Sequence, residues 1–476
     1  MLARKSILIR TAFLIFSGNA FASLLLLVRN LIIARLIPVA DFGVAATFAI
    51  AMSIVEMMST FGLQQQIVQA KEGDDPKFQA ALQGFQVLRG SISSLVMFAI
   101  SIPLAQFFEI PEATWAYQIM AVVPLLNALG HFDIHRLNRT MVFGPMIVTG
   151  ILPALVSVLA VWPLSHWFGD WRVMLYAILI QALVTTITSH IVAQRPYRLE
   201  MDRRLMRQSI RFGWPLLVNG ILMFMVFNGD RLIVGRTLGM ETLAIFAMGV
   251  TLTLTPTLVL AKSVQNFFLP LLSRLDYAGT PDSAQRFERL AIATIEANLL
   301  NGVLLVFGTA LLGAPFVYLF LGAKYAALVP ILTLLAVMQA LRVFKAGGAI
   351  VALARHQTSN AMVANLFRVA SLPVAWWVMT VGGTVMELIW VGIIGELSGF
   401  IVSLLMLRGR VGVGLRPLQR QLLLTALFLI VAAGDSTFGP FSLSSWGTAL
   451  LLTLTLTALV ASMTTLRQGM LNRFRA

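Results

Sequence analysis

The sequence predicts an all-α polytopic membrane protein of about fourteen spanning helices, and three observations carry that prediction. Hydrophobic residues make up 58% of the 476-residue chain and charged residues only 12%, whereas a soluble domain carries about 25% charged residues. Mean hydropathy is +0.86. Apolar runs of about 20 residues recur from one end to the other, the length a helix needs to cross ~30 Å of hydrocarbon. A membrane barrel would instead show short strands of alternating character.

Taken in order, the apolar runs place helices over 8–35, 42–66, 80–107, 114–132, 143–165 and 171–192. The first begins like a signal peptide, with Arg4, Lys5 and Arg10, an apolar stretch, and Ala20-Phe21-Ala22 resembling a cleavage site. Its apolar run continues through Leu36, too long for a signal segment, so it reads as an uncleaved first helix. A polar, basic stretch follows from Arg195 to Arg211. The second half predicts helices over 212–236, 242–268, 288–313, 325–347, 358–381 and 386–407, and two more over 420–434 and 445–466. The expected organisation is a six-helix lobe over 1–194, a basic linker over 195–211, a second six-helix lobe over 212–408, and two additional helices with a basic tail over 409–476.

The net charge of +15 would suit a nucleic-acid partner if the basic residues lay on one soluble surface, but they flank the helices, so nucleic acid is not expected. Most of the lysines and arginines outside the helices fall on the side of the N-terminus: Arg4, Lys5 and Arg10, the 195–211 stretch, Arg408, Arg410, Arg416 and Arg420, and Arg467, Arg473 and Arg475. The opposite side receives only Arg35, Arg172, Arg236 and Lys324. The positive-inside rule then places both termini on the cytoplasmic side. There is no cysteine, which excludes disulfides, iron–sulfur clusters and cysteine-ligated zinc. The outer loops, such as 166–170 and 381–384, are very short. No segment is long enough for a soluble domain, which argues against a membrane-anchored enzyme and places function among the helices.

The chain echoes itself after about 200 residues. Leu31-Ile-Ile-Ala-Arg35 matches Leu232-Ile-Val-Gly-Arg236, and Pro38 stands opposite Gly239 in the following turn. Each half holds an even number of helices, so the halves share one orientation. They are expected to relate by an axis along the membrane normal, with a path between them.

The segment Arg29-Asn-Leu-Ile-Ile-Ala34, the turn at Pro38, and Asp41-Phe-Gly43 opening the second helix resemble the start of Wzx-type polysaccharide flippases. Phe61-Gly-Leu-Gln-Gln-Gln-Ile-Val-Gln69 and Gly229-Asp-Arg-Leu-Ile-Val-Gly235 are similar to later family segments. The resemblance covers most of the chain in helix count. It implies the exporter superfamily that also holds multidrug exporters of the MATE type and the lipid II flippase, with two six-helix lobes around a V-shaped cavity. Two extra C-terminal helices occur in some members that handle lipid-linked glycans.

Seven basic residues lie within the helices: Arg29, Arg89, Arg231, Lys262, Arg342, Lys345 and Arg368. A charge inside a membrane helix is expensive and therefore points to function. This excess of positive charge suits an anionic passenger, and guanidinium and ammonium groups both bind phosphate. Each has a plainer reading: Arg89 could snorkel to the interface, and Lys345 could merely end its helix. The embedded acids are Glu56, Asp230, Glu296 and Glu396, candidates for gating or coupling protons, or else partners in helix–helix hydrogen bonds. Asp230 occupies the place equivalent to Arg29 with the opposite charge, so an Arg29–Asp230 latch is expected. Gln64, Gln65, Gln66, Asn219 and Asn228 are candidate glycan contacts. His131 and His135 are four apart but lack the glutamate of a zinc-protease motif, so no metal is expected. No cofactor is expected either.

These features and the resemblance together imply a flippase for undecaprenyl-diphosphate-linked oligosaccharides in exopolysaccharide or lipopolysaccharide O-antigen synthesis. Its partners would be the lipid-linked glycan, membrane lipids, and a polymerase and chain-length regulator of the same pathway. A MATE-type cation antiporter and a lipid II flippase are the alternatives. The Arg195–Arg211 stretch would bind anionic head groups of the inner leaflet.

Overall fold

The computed structural model describes residues 2–58, 62–278, 281–438 and 445–466. The described residues are helical and contain no strand. Twelve helices are long and apolar enough to cross a membrane, and a shorter apolar helix covers Trp446–Ser462. With the broken helical segment over 114–129, the described residues are roughly consistent with the expected fourteen helices.

Contacts divide the chain into two compact units, Met1–Ala244 and Ile245–Ala476. The first contains α1 (Leu2–Leu36), α2 (Val39–Met58), α3 (Leu63–Gln69), α4 (Pro76–Phe107), α5 (Thr114–Met120), α6 (Val122–Leu129), α7 (Asp133–Arg139), α8 (Gly144–Trp167), α9 (Arg172–Ile191) and α10 (Arg203–Thr237). Next comes α11 (Gly239–Ala278), which begins at the boundary. The second unit continues with α12 (Pro281–Phe316), α13 (Val329–Ala354), α14 (Ser359–Thr380), α15 (Val385–Met406), α16 (Gln419–Phe438) and α17 (Ser445–Ser462).

Several elements depart from the sequence reading, among them α11, which runs ten residues past the expected 268. The helix expected over 42–66 is interrupted at Gly62, which adopts a left-handed φ of 64° before α3 begins at Leu63, a conformation where glycine carries no Cβ penalty. Phe61 of the quoted segment lies outside the described residues. The helix expected over 114–132 is two short pieces meeting at Ala121, with Pro124 in the first turn of α6; the proline ring fits a helix start and has no amide to donate. The basic linker is only half irregular. Asp202 accepts hydrogen bonds from the amides of Arg204 (2.7 Å) and Leu205 (3.2 Å), an N-cap that starts α10 nine residues before the expected 212. The tail arginines Arg467, Arg473 and Arg475 lie outside the described residues.

The repeat is visible in the first helix of each half. Both α1 and α10 run for 35 residues with one basic residue in the last turn, Arg35 and Arg236. Even so, α10 packs within the first compact unit, against α2 and α4. Gly220 allows this, since a Cβ there would collide with the Met57 carbonyl of α2. In the second unit α13 is the central helix, touching α12, α14, α15 and α16. Its apolar window is 78% buried, against 22% for that of α12, so charges on α13 have neither lipid nor interface within reach.

Candidate functional site

Four of the charges singled out from the sequence meet at one place. Arg342 and Lys345 are three apart on α13 and therefore share a face; Arg368 comes from α14 and Glu396 from α15. The carboxylate stands at the centre. Its Oε1 accepts from Arg342 Nε and lies 3.3 Å from Arg368 Nε, while Oε2 accepts from Lys345 Nζ at 2.8 Å. The outer donors are held as well: Arg342 Nη1 donates to Gln339 Oε1 at 3.1 Å, and Arg368 Nη1 to Ser371 Oγ at 2.8 Å. Arg368 and Glu396 are completely buried.

The local sequence explains how α15 approaches. Gly395 and Gly399 flank Glu396, and a Cβ on either would strike α14, at Ser371 and at the Ala364 carbonyl respectively. Small residues at this spacing let helices close to backbone distance, so the Glu396 carboxylate reaches three cations at once. In this cluster one carboxylate stands among three basic side chains. Each buried ion costs several kcal/mol to desolvate, and the shared carboxylate offsets that cost only in part. An anion arriving here would complete the balance.

The other predicted residues are distributed. Arg29 is buried; its Nη1 donates to Ser157 Oγ of α8 (3.1 Å) and Gln181 Oε1 of α9 (2.6 Å), and its Nη2 reaches Asn30. The expected latch with Asp230 is not formed in this conformation; Nη1 of the guanidinium is held by α8 and α9 instead. Asp230 is buried on α10, and the neighbouring Arg231 donates to Asn228 at 3.5 Å. Glu56 and Arg89 line one cavity of about 400 Å³ in the first unit, with Gln64, Asn127, His135 and Thr185. Gln65 is exposed on α3 and not part of that lining, since the helix turns it away from its neighbour Gln64.

Lys262 lines a separate cavity of about 360 Å³ in the second unit, with Gln265, Gln357 and Thr358. Glu296 joins helices: it accepts from Gln421 of α16 at 3.1 Å and from the Leu466 amide at 2.8 Å, which is the plainer reading of that acid.

A cluster that the sequence did not announce fastens the loops of the first unit. Asp133, fully buried, accepts from Arg136 Nε and from the amides of Gln194 (2.8 Å) and Arg195 (3.3 Å). Arg136 and Arg195 both reach Asp74, at 3.4 and 3.0 Å, and Arg139 collects the end carbonyls of α3. Burial pushes the Asp133 carboxyl up, but Arg136 and the two amides outweigh it and hold the group below the ordinary carboxylate range. Burial pushes the His135 imidazole down to about 4. His131 accepts from the Asp133 amide through Nδ1 at 3.1 Å and packs edge-on against His190 and Tyr197. The spacing Asp133-x-x-Arg136-x-x-Arg139 at a helix end was the available signal.

Residues 32–330 match the family described as "Polysaccharide biosynthesis protein". The chain is 22% identical to the succinoglycan biosynthesis transport protein ExoT of Rhizobium meliloti over 306 residues, 64% of this chain and 60% of that protein. It is 20% identical to the teichuronic acid biosynthesis protein TuaB of Bacillus subtilis over 75% of this chain and 74% of that one. It is 21% identical to the lipopolysaccharide biosynthesis protein WzxC of Escherichia coli, over 66% of this chain and 63% of that protein. The matches thus span under two thirds of ExoT and WzxC. Among solved structures, the fold is similar to the lipid II flippase MurJ in an inward closed conformation, with a TM-score of 0.70, 13% identity, and 96% of this chain and all of that chain covered. It is also similar to an inward-facing multidrug resistance MATE transporter, with a TM-score of 0.68, 15% identity, and 82% and 94% covered.

Proposed function

Because the chain belongs to the polysaccharide biosynthesis protein family, we propose that it is a flippase carrying undecaprenyl-diphosphate-linked oligosaccharide units across the bacterial inner membrane. The product would feed exopolysaccharide or lipopolysaccharide O-antigen assembly, beside a polymerase and chain-length regulator of the same pathway. Both termini would face the cytoplasm. The names borne by ExoT, TuaB and WzxC point to this substrate class.

The observation that carries the reading is the charge at Arg342, Lys345 and Arg368 around Glu396. A diphosphate supplies the negative charge that this cluster lacks. Guanidinium groups grip phosphate oxygens through paired donors, and the ammonium adds a compact charge. The glycan needs a polar, hydrated environment and the polyprenyl chain needs lipid. Transport therefore amounts to exposing the charged interior to one leaflet and then the other. No bond is made or broken, so the protein acts as a transporter and not as an enzyme. A cation antiporter would need the opposite balance at this cluster.

The test is the leaflet distribution of polyprenyl-diphosphate oligosaccharide in cells depleted of the protein. The expected result is accumulation of complete units on the cytoplasmic face with polymer lost. Normal distribution and intact polymer would overturn the proposal.

A further inference from the structure

The cavity of the first unit is distinct in chemistry from the cation cluster of the second. Its wall draws on seven helices: Glu56 on α2, Gln64 on α3, Arg89 on α4, Asn127 on α6, His135 on α7, Thr149 on α8 and Thr185 on α9. The one acid and the one guanidinium oppose each other in sign, so the lining has no net charge to offer a phosphate. Its carboxamides, hydroxyls and imidazole can each donate or accept hydrogen bonds. Gln64 and Asn127 are exposed within their unit, so their amides are open to a ligand. At about 400 Å³ the space falls at the small end of ligand pockets, which run from roughly 300 to 1,000 Å³. An acyl chain seated here would strip water from the exposed carboxamides of Gln64 and Asn127 without replacing it, at a cost of about 1–3 kcal/mol for each.

From this we infer that the first-unit cavity is a sugar subsite, taking one or two uncharged pyranose rings through Gln64, Asn127 and Thr185. The inference rests on the flippase reading, and adds that the glycan is recognised on its own wall by groups other than those that meet the diphosphate. A polyol presents alternating donors and acceptors, as this wall does.

The full-length protein in nanodiscs is titrated with two probes: oligosaccharide freed by mild acid from the polyprenyl diphosphates of the same cells, and inorganic pyrophosphate. Tryptophan fluorescence reads binding. The expected result is that Asn127→Leu and Gln64→Ala each weaken the oligosaccharide by about two- to tenfold, the range of a lost hydrogen bond, and leave pyrophosphate unchanged. Gln64 is exposed on a short helix, so its variant remains informative if Asn127→Leu impairs folding. Oligosaccharide that does not bind wild type, or that binds both variants as well as wild type, overturns the subsite. In that case retained pyrophosphate binding, lost in Arg368→Gln, would leave the flippase reading standing. Oligosaccharide binding sensitive to both variants, without any pyrophosphate binding, supports the subsite and counts against the diphosphate role of the cation cluster.

Discussion

Glu396→Gln is the most demanding perturbation of this protein. The carboxylate oxygens lie 2.8 Å from Lys345 Nζ and 3.3 Å from Arg368 Nε, with Arg342 in contact as well. With an effective dielectric of 20, a unit pair at those separations interacts with about 6 and 5 kcal/mol. These are gross attractions, offset by the desolvation already incurred. Removing one member of a buried pair costs about 3–5 kcal/mol net, because its partner is left uncompensated. Here three buried cations lose the carboxylate they share, so the expected loss is at the top of that range. The assay is thermal or denaturant unfolding of the purified protein in detergent. The control removes a cation together with the acid: Glu396→Gln with Lys345→Gln should recover a substantial part of the loss, since two cations repel less than three. A Glu396→Gln protein as stable as wild type, or a double variant no better than the single one, would refute the electrostatic account. Lys345→Gln alone should fold nearly as well as wild type, yet transport poorly because it removes part of the surplus charge.

Four further outcomes are expected. Asp133→Asn should loosen the 192–196 segment, read as faster proteolysis there; because the folded carboxyl is held below its ordinary range, its contribution is present above that range and lost as pH falls through the folded value, below which wild type and variant should converge. His135 is held neutral to about pH 4, against about 6.5 when unfolded, so it stabilises above pH 6.5 and is lost between 6.5 and 4; His135→Gln should flatten that limb of the stability profile. Gly399→Leu should destabilise the second unit by about 1–3 kcal/mol or more through overpacking against the Ala364 carbonyl, visible as a lowered unfolding midpoint, with Gly409→Ala, which meets no atom, as the neutral control. Arg29→Met should cost about 1–3 kcal/mol by leaving Ser157 and Gln181 without their shared donor, whereas an Arg29–Asp230 latch would instead make Asp230→Asn equally costly.

The embedded charges separate what was legible from what was not. Arg342, Lys345, Arg368 and Glu396 stood out in the sequence because a charge among apolar residues in a spanning helix is conspicuous. Their assembly did not stand out: Glu396 is 54 residues from Arg342, and Gly395 and Gly399 have meaning only against the backbone of α14. Glu296 looked like Glu396 in sequence, yet it meets an amide and a backbone N–H and therefore ties helices together. The clamp at Asp133 was missed because two of its donors are main-chain amides, which every residue carries, although its spacing from Arg136 was there to read.

The fold class, the number of spans and the repeated first helix of each half were determined by the sequence alone, because hydrophobic length and period are local properties that a bilayer reads without reference to the rest of the chain. The tertiary structure decided which charges pair, where a continuous apolar run breaks at Gly62 or Ala121, and that α10 packs with the first unit. Those outcomes depend on groups far apart in the chain arriving within a few ångströms, where desolvation and a single missing Cβ determine which partner is chosen.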